Sequence, residues 1–451
     1  MRSAPLRPRP FIPRAQRQRG QSVFSGILKV NRYDAVVRVA LLFGITTITW
    51  HIFRLVDANL TVSDIAFLTV ILLLLVRGTL NLRPFGTTTA IWSLSLIAML
   101  GGLFISTVVN GDPWRWASVA AQYTAAYLAL PMMLASFDRR MLDRCLVFFV
   151  LGVTLSQAVA VIASLFVSWD DTAALLGNDF ITGTGRIGAF SGNANTNGAM
   201  ATFALLVMIY CLQKGFFPRW LAVICGVILG WGLLGSASFT SFVLASVSIS
   251  AMLVVLQPQK FFKYGLPLIG ATIAYILAGL PLPGPFQARV GEALMTGDMQ
   301  RAGTFTGRSA LADEAWRFAG DTLFIGFGAD GYRVVSEHQA PVHVFPLLLL
   351  TEGGLVALAG FVGMLAIMWT AAFNLSRRDR ADAALAFGVL LVFTGFTVAV
   401  PHMYARLWIG PVLLVLMHGY AAYSPTLFQG FGSPAMPMAP GTAKRPAMTS
   451  R

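Results

Sequence analysis

The sequence predicts an all-α, polytopic membrane protein, with about twelve transmembrane helices and a large, partly helical periplasmic loop. Three observations carry this expectation. Apolar stretches of roughly 20 residues, the length that crosses a bilayer as a helix, recur along the chain. Hydrophobic residues are 56% of the sequence and charged residues only 12%, about half the charge of a soluble domain. The basic residues gather in short links on alternate sides of the apolar stretches, as the positive-inside bias requires.

Residues 1–35 read as a cytoplasmic tail. They hold Arg2, Arg7, Arg9, Arg14, Arg17, Arg19, Lys29 and Arg32, with no acid before Asp34. No early apolar core or small-residue cleavage site follows, so a disordered tail is expected rather than a removable signal peptide. Region 36–280 holds nine expected spans, near 36–56, 61–76, 88–109, 116–136, 142–168, 196–213, 218–235, 239–256 and 262–280. A loop at 281–343 follows, then three spans within 344–423, near 344–373, 383–400 and 405–423. A tail at 424–451, rich in Pro, Gly and Met, ends the chain.

Five short links fix the parity: Arg77 and Arg83; Arg139, Arg140 and Arg144; Lys214 and Arg219; Lys260 and Lys263; Arg377, Arg378 and Arg380. With both tails in the cytoplasm, every lysine lies inside. The basic residues left on the outer face are all arginines: Arg54, Arg115, Arg186, Arg289, Arg301, Arg308, Arg317, Arg333 and Arg406. Lysine and arginine obey the topology bias alike, so an outer face with arginine alone suggests a chemical use. Guanidinium grips phosphate or carboxylate through two parallel bonds and keeps its charge. The net charge of +14 superficially suggests nucleic-acid binding. Its placement beside apolar segments assigns it to topology and to anionic lipid instead, with no nucleic acid as partner. Cys145, Cys211 and Cys225 are scattered and form neither a metal pattern nor a disulfide framework.

Two outer segments exceed a turn. One is about 169–195; the other is the loop 281–343. A loop that long beside a bundle needs internal structure. Its middle reads as a helix with Ala312, Trp316 and Ala319 on one face and an Asp313–Arg317 pair along it. Gly326, Gly328 and Gly331 then break the helix and return the chain to the membrane.

From Thr304 the loop reads TFTGRSALADEAWRFAGDTLFIGFGADGYR, and VHVFPLLLLTEGGLVAL follows from Val342. This resembles the O-antigen ligase and polysaccharide polymerase superfamily of bacterial inner-membrane proteins. The resemblance rests on Gly307, Arg308 and Ser309, on Trp316, on Gly326 and Gly328, on His343, and on Glu352 and Gly354. His343 and Gly354 keep the spacing of the ligase motif, whereas Val344 and Ala357 depart from its polar and small-or-Tyr positions. RIGAFSGNANTNGAMA, from Arg186, is similar to the family's Arg-to-Asn-Pro-Asn region, with Ala194 in place of Pro. GSASFTS, from Gly235, lacks an arginine that many members carry there.

The resemblance implies a glycosyltransferase of the multi-pass inner membrane, acting at the periplasmic face. Its donor would be a glycan on undecaprenyl diphosphate; its acceptor would be another glycan or lipid A–core. Ligase and polymerase chemistry share that donor. Fixed arginines can stabilise a departing diphosphate without a metal or other cofactor. Arg186, Arg301, Arg308 and Arg406 are the candidates. A histidine suits deprotonation of the acceptor hydroxyl near neutral pH, His343 first and His338 second. Asn193 and Asn195 are candidate glycan donors. Each has a structural reading as well: an arginine can snorkel or pair, a histidine can cap a helix, and an asparagine can form a turn. A transporter or flippase of lipid-linked oligosaccharide is the competing class. It would line a central cavity with charge reached from both sides, whereas ionisable residues here gather on one face.

Overall fold

The computed structural model describes residues 32–55, 59–267, 282–296 and 305–421, with isolated positions at 270, 274–275 and 278. Both expected tails lie essentially outside these residues, as do Arg301 and most of the expected 262–280 span. The described residues are overwhelmingly helical. Among these residues strands are confined to β1 (Arg54–Leu55) and β2 (Leu60–Thr61), paired antiparallel.

The helices are α1 (Arg32–Thr47), α2 (Val62–Val76), α3 (Thr89–Asn110), α4 (Pro113–Thr124), α5 (Leu130–Leu134), α6 (Arg139–Phe166), α7 (Trp169–Leu176), α8 (Ala194–Lys214), α9 (Arg219–Gly235) and α10 (Phe239–Leu256). Further along the chain come α11 (Phe305–Ala319), α12 (Phe345–Ser376), α13 (Arg380–Thr397) and α14 (Arg406–Ala421). A π-turn at Ala125–Ala129 joins α4 to α5, so the two form one rod where a single span is expected. Among the described residues, six helices are long and apolar enough to cross a membrane: α3, α6, α8, α10, α12 and α13. The apolar helices α2, α9 and α14 are shorter.

Local sequence explains the helix starts. Thr61 and Asp64 cap α2 reciprocally, each side chain taking the other's backbone N–H. Asp112 caps α4 with Pro113 in its first turn, and Asp138 caps α6. The first expected span runs too far. α1 stops at Thr47, and the chain turns so that Ile52 N–H meets the Phe190 carbonyl at 3.0 Å.

Packing is closest between α3 and α12. A Cβ at Gly360 would fall 2.4 Å from the Met99 nitrogen and the Ser95 carbonyl, so the two backbones touch as only small residues allow. At the end opposite the loop, a charged network ties α6, α8 and α13. Arg139 grips Asp382 with bonds of 2.8 and 3.0 Å, Tyr210 donates to Asp382 at 2.6 Å, and Lys214 reaches Asp379 at 2.9 Å. Asp382 is buried, and these partners offset its desolvation.

The loop helix α11 forms, in a register that differs from the expected one. Leu311, Glu314, Ala315 and Ala319 face inward, and Trp316 is exposed. The Asp313–Arg317 pair is not made among the described residues. Glu314 organises the inward face instead. It accepts from Tyr332 OH at 2.8 Å, Ser336 Oγ at 2.7 Å and the Glu337 N–H at 2.8 Å.

Candidate functional site

The glycine stretch after α11 builds the floor of the site. α12 is broken at Gly354 (φ 69°, ψ −171°), which frees backbone groups on either side. The returning segment satisfies them. Phe327 N–H donates to the Thr351 carbonyl and Gly328 N–H to the Glu352 carbonyl, both at 2.9 Å. Leu355 N–H reaches back to the Leu323 carbonyl at 2.8 Å. From α3, Ser106 Oγ accepts Gly326 N–H at 2.8 Å, and Thr107 Oγ1 accepts Ala329 N–H at 2.9 Å. A Cβ at Gly326 would lie 2.3 Å from the Glu352 carbonyl carbon. The glycines, and the neighbourhood of Glu352 and Gly354, are therefore explained by one backbone seam.

A group of arginines forms a separate feature of the same region. Arg186 donates from Nη2 to Asn195 Oδ1 at 2.8 Å and from Nε to the Ser236 carbonyl at 2.9 Å. Burial, then the positive charges of Arg289 and Arg308, pull its pKa down to about 10. Arg308, in the first turn of α11, is depressed by burial and then by Arg289. Its buried Nε takes no hydrogen bond among the described residues. His343, two residues before α12, is held below the ordinary histidine range by burial and then by the charge of Arg308. Arg186, Arg289, Arg308 and His343 thus converge, although they come from four separate segments. Neither Arg186 nor Arg308 has a carboxylate partner among the described residues. Like charges brought together in partial burial oppose folding, so such a group is suited to an anion.

The other expected residues are placed as follows. Asn195 holds Arg186. Asn193 is the N-cap of α8, accepting from Asn195 N–H at 2.9 Å and Thr196 N–H at 3.2 Å, and so acts structurally. Arg406 is set apart from the cluster. It is buried with its fork closed on Asp64 through both Nε and Nη2, which occupies the donors a phosphate would need. His338 is exposed on the loop, with its backbone N–H on Ser336 Oγ at 3.2 Å. Arg289 also belongs to the cluster, although it is not among the candidates the sequence puts forward. The signal available was the lysine-free outer face, which singles out all its arginines equally.

A second polar group adjoins His343. Asp330, in the left-handed region at φ 62°, pairs with Arg115 at 2.9 Å and lies 3.8 Å from His402 Nε2. Burial holds His402 well below the ordinary range, against the opposing pull of Asp330; Arg115, Arg333 and His343 depress it further.

The chain matches no family model, and no curated protein matches it.

Proposed function

We propose that this chain is a membrane glycosyltransferase that transfers or polymerises glycan from an undecaprenyl-diphosphate-linked donor. In this reading it crosses the bacterial inner membrane about twelve times, with both tails cytoplasmic and the arginine cluster facing the periplasm. The observation that carries it is the grouping of Arg186 and Arg308, both without a carboxylate partner among the described residues, with His343 beside Arg308.

In the transfer step the acceptor hydroxyl oxygen attacks the anomeric carbon. The bond from that carbon to the diphosphate oxygen breaks, and its electron pair leaves with the diphosphate. The hydroxyl proton passes to the His343 imidazole. Arg186 and Arg308 stabilise the charge growing on the leaving group by pre-placed donors, without a metal. Asn195 and the Ser236 carbonyl hold the Arg186 fork in orientation. Arg406 has no part in this step, because Asp64 occupies it.

The test is the lipid-glycan profile of a strain lacking this protein. Polymer stranded on its lipid carrier marks a ligase joining glycan to lipid A–core, and accumulation of single repeats marks a polymerase. An unchanged profile overturns the reading. Orientation is tested with a membrane-impermeant maleimide: a cysteine at exposed Glu337 should react from the periplasm, and one at exposed Ser376 should not.

A further inference from the structure

We propose that the segment Leu323–Ile325 inserts into the bilayer at the boundary between headgroups and acyl chains, on the side of the arginine cluster. Two helices serve as rulers for its height. Gly354 stands roughly 23 residues, about 34 Å, above Arg377 at the far end of α12. Thr107 stands about 18 residues, ~27 Å, above the start of α3. A bilayer hydrocarbon core is about 30 Å thick. The segment is bonded to both helices at those heights, through Leu355 N–H to the Leu323 carbonyl and Gly326 N–H to Ser106 Oγ. Both rulers therefore put it at the hydrocarbon edge.

Its side chains suit that level. Phe324 is 77% exposed, and Leu323 and Ile325 are exposed beside it. They continue the outward-facing apolar rows of α3 (Val108, Val109) and α12 (Leu355, Val356). In water such a patch would be costly, and three adjoining large hydrophobics facing outward at this height match a lipid surface. The chain that follows is tied down by the N–H groups at 326, 327 and 328, which all have protein partners, while 323–325 sit at the headgroup level, where water still reaches the backbone. α11 runs into this segment, so insertion sets how far Arg308 stands from the membrane plane. The insertion depends on α3 and α12 crossing a bilayer, and not on the glycosyl chemistry proposed above.

The test is a nitroxide at Phe324→Cys in phosphatidylcholine–phosphatidylglycerol vesicles. The native cysteines Cys145, Cys211 and Cys225 are buried and stay unlabelled. Collisions with dissolved oxygen should exceed those with a water-soluble nickel complex several-fold, and the ratio should invert for a label at Glu337→Cys. A label at 324 as accessible to nickel as the one at 337 overturns insertion. So does a label closed to both reagents, which would mean that a protein surface covers the segment.

Discussion

The Arg186 guanidinium is anchored to Asn195 Oδ1 by a 2.8 Å bond from Nη2, which together with the Ser236 contact fixes the fork and leaves Nη1 without a bond among the described residues. A preset arginine loses little freedom on gripping an anion, which is the condition for electrostatic stabilisation without reorganisation. Asn195→Ala should therefore lower turnover more than donor affinity, while Asn193→Ala should cost about 1 kcal/mol of stability through the lost cap. Turnover and unfolding measured on both variants check the division.

Arg308→Lys keeps the charge and loses the fork. A lost charge-assisted contact in the transition state costs about 2–4 kcal/mol, on the order of 30- to 1000-fold in rate. Transfer assayed at matched protein level checks this, and near-normal product would make Arg308 a structural residue.

His343 lies below the ordinary histidine range, and the positive charge of Arg308 contributes. A base must be neutral to work, so transfer should rise with pH through a value below about 6.5. Removing the neighbouring charge favours protonation. The acid limb of Arg308→Gln should therefore move to higher pH. His343→Gln should abolish transfer while leaving the protein folded, and wild-type transfer should persist in excess EDTA. A pH–rate profile of the three proteins, with and without EDTA, decides.

Glu314 is held below the ordinary carboxylate range. Burial pushes it up, but hydrogen bonds from the Glu337 backbone, Ser336 and Tyr332 outweigh that. Its folded-state pKa is depressed, so its contribution is complete above the unfolded value and fades as pH falls through the folded one. The loop around α11 should exchange amide hydrogens faster in acid. Glu314→Gln should show weaker protection at neutral pH and less dependence on acid, read by exchange at residues 311–337.

Arg406→Ala should destabilise by about 1–3 kcal/mol, because the half-buried Asp64 loses its charged partner and keeps only its cap contacts with Thr61. Arg406→Met combined with Asp64→Asn, whose side-chain carbonyl can still accept the Thr61 N–H, should recover stability and keep transfer. A stable double variant without transfer would return Arg406 to the site.

The long apolar elements were legible because a run of apolar residues of spanning length, flanked by charge, is a local signal. Thr61 with Asp64, Asp112 with Pro113, and Asp138 mark their helix starts within a few residues. The register of α11 was not, because Glu314 is buried by partners some 18 to 23 residues away rather than by a local pattern. A glutamate on an inward face reads as polar and therefore outward. The break at Gly354 was hidden for the same reason. Nothing near it in sequence shows that residues 323–328 return to receive its carbonyls. The site follows suit. Arg308 and His343 lie in recognisable motifs, but Arg289 joins them only through the fold, and Arg406 is removed only by Asp64, which precedes it by 342 residues.

The seam between the returning segment and broken α12 is made of main-chain groups: Leu323, Phe327, Gly328, Thr351, Glu352 and Leu355 meet through carbonyls and amides. Its strength is thus independent of which side chains those positions carry, glycines excepted. Side-chain change at those positions can therefore leave intact the joint between the returning segment and α12. Sequence drift should be resisted at Gly326, where a Cβ would meet the Glu352 backbone, and at Gly354, whose φ of 69° favours glycine.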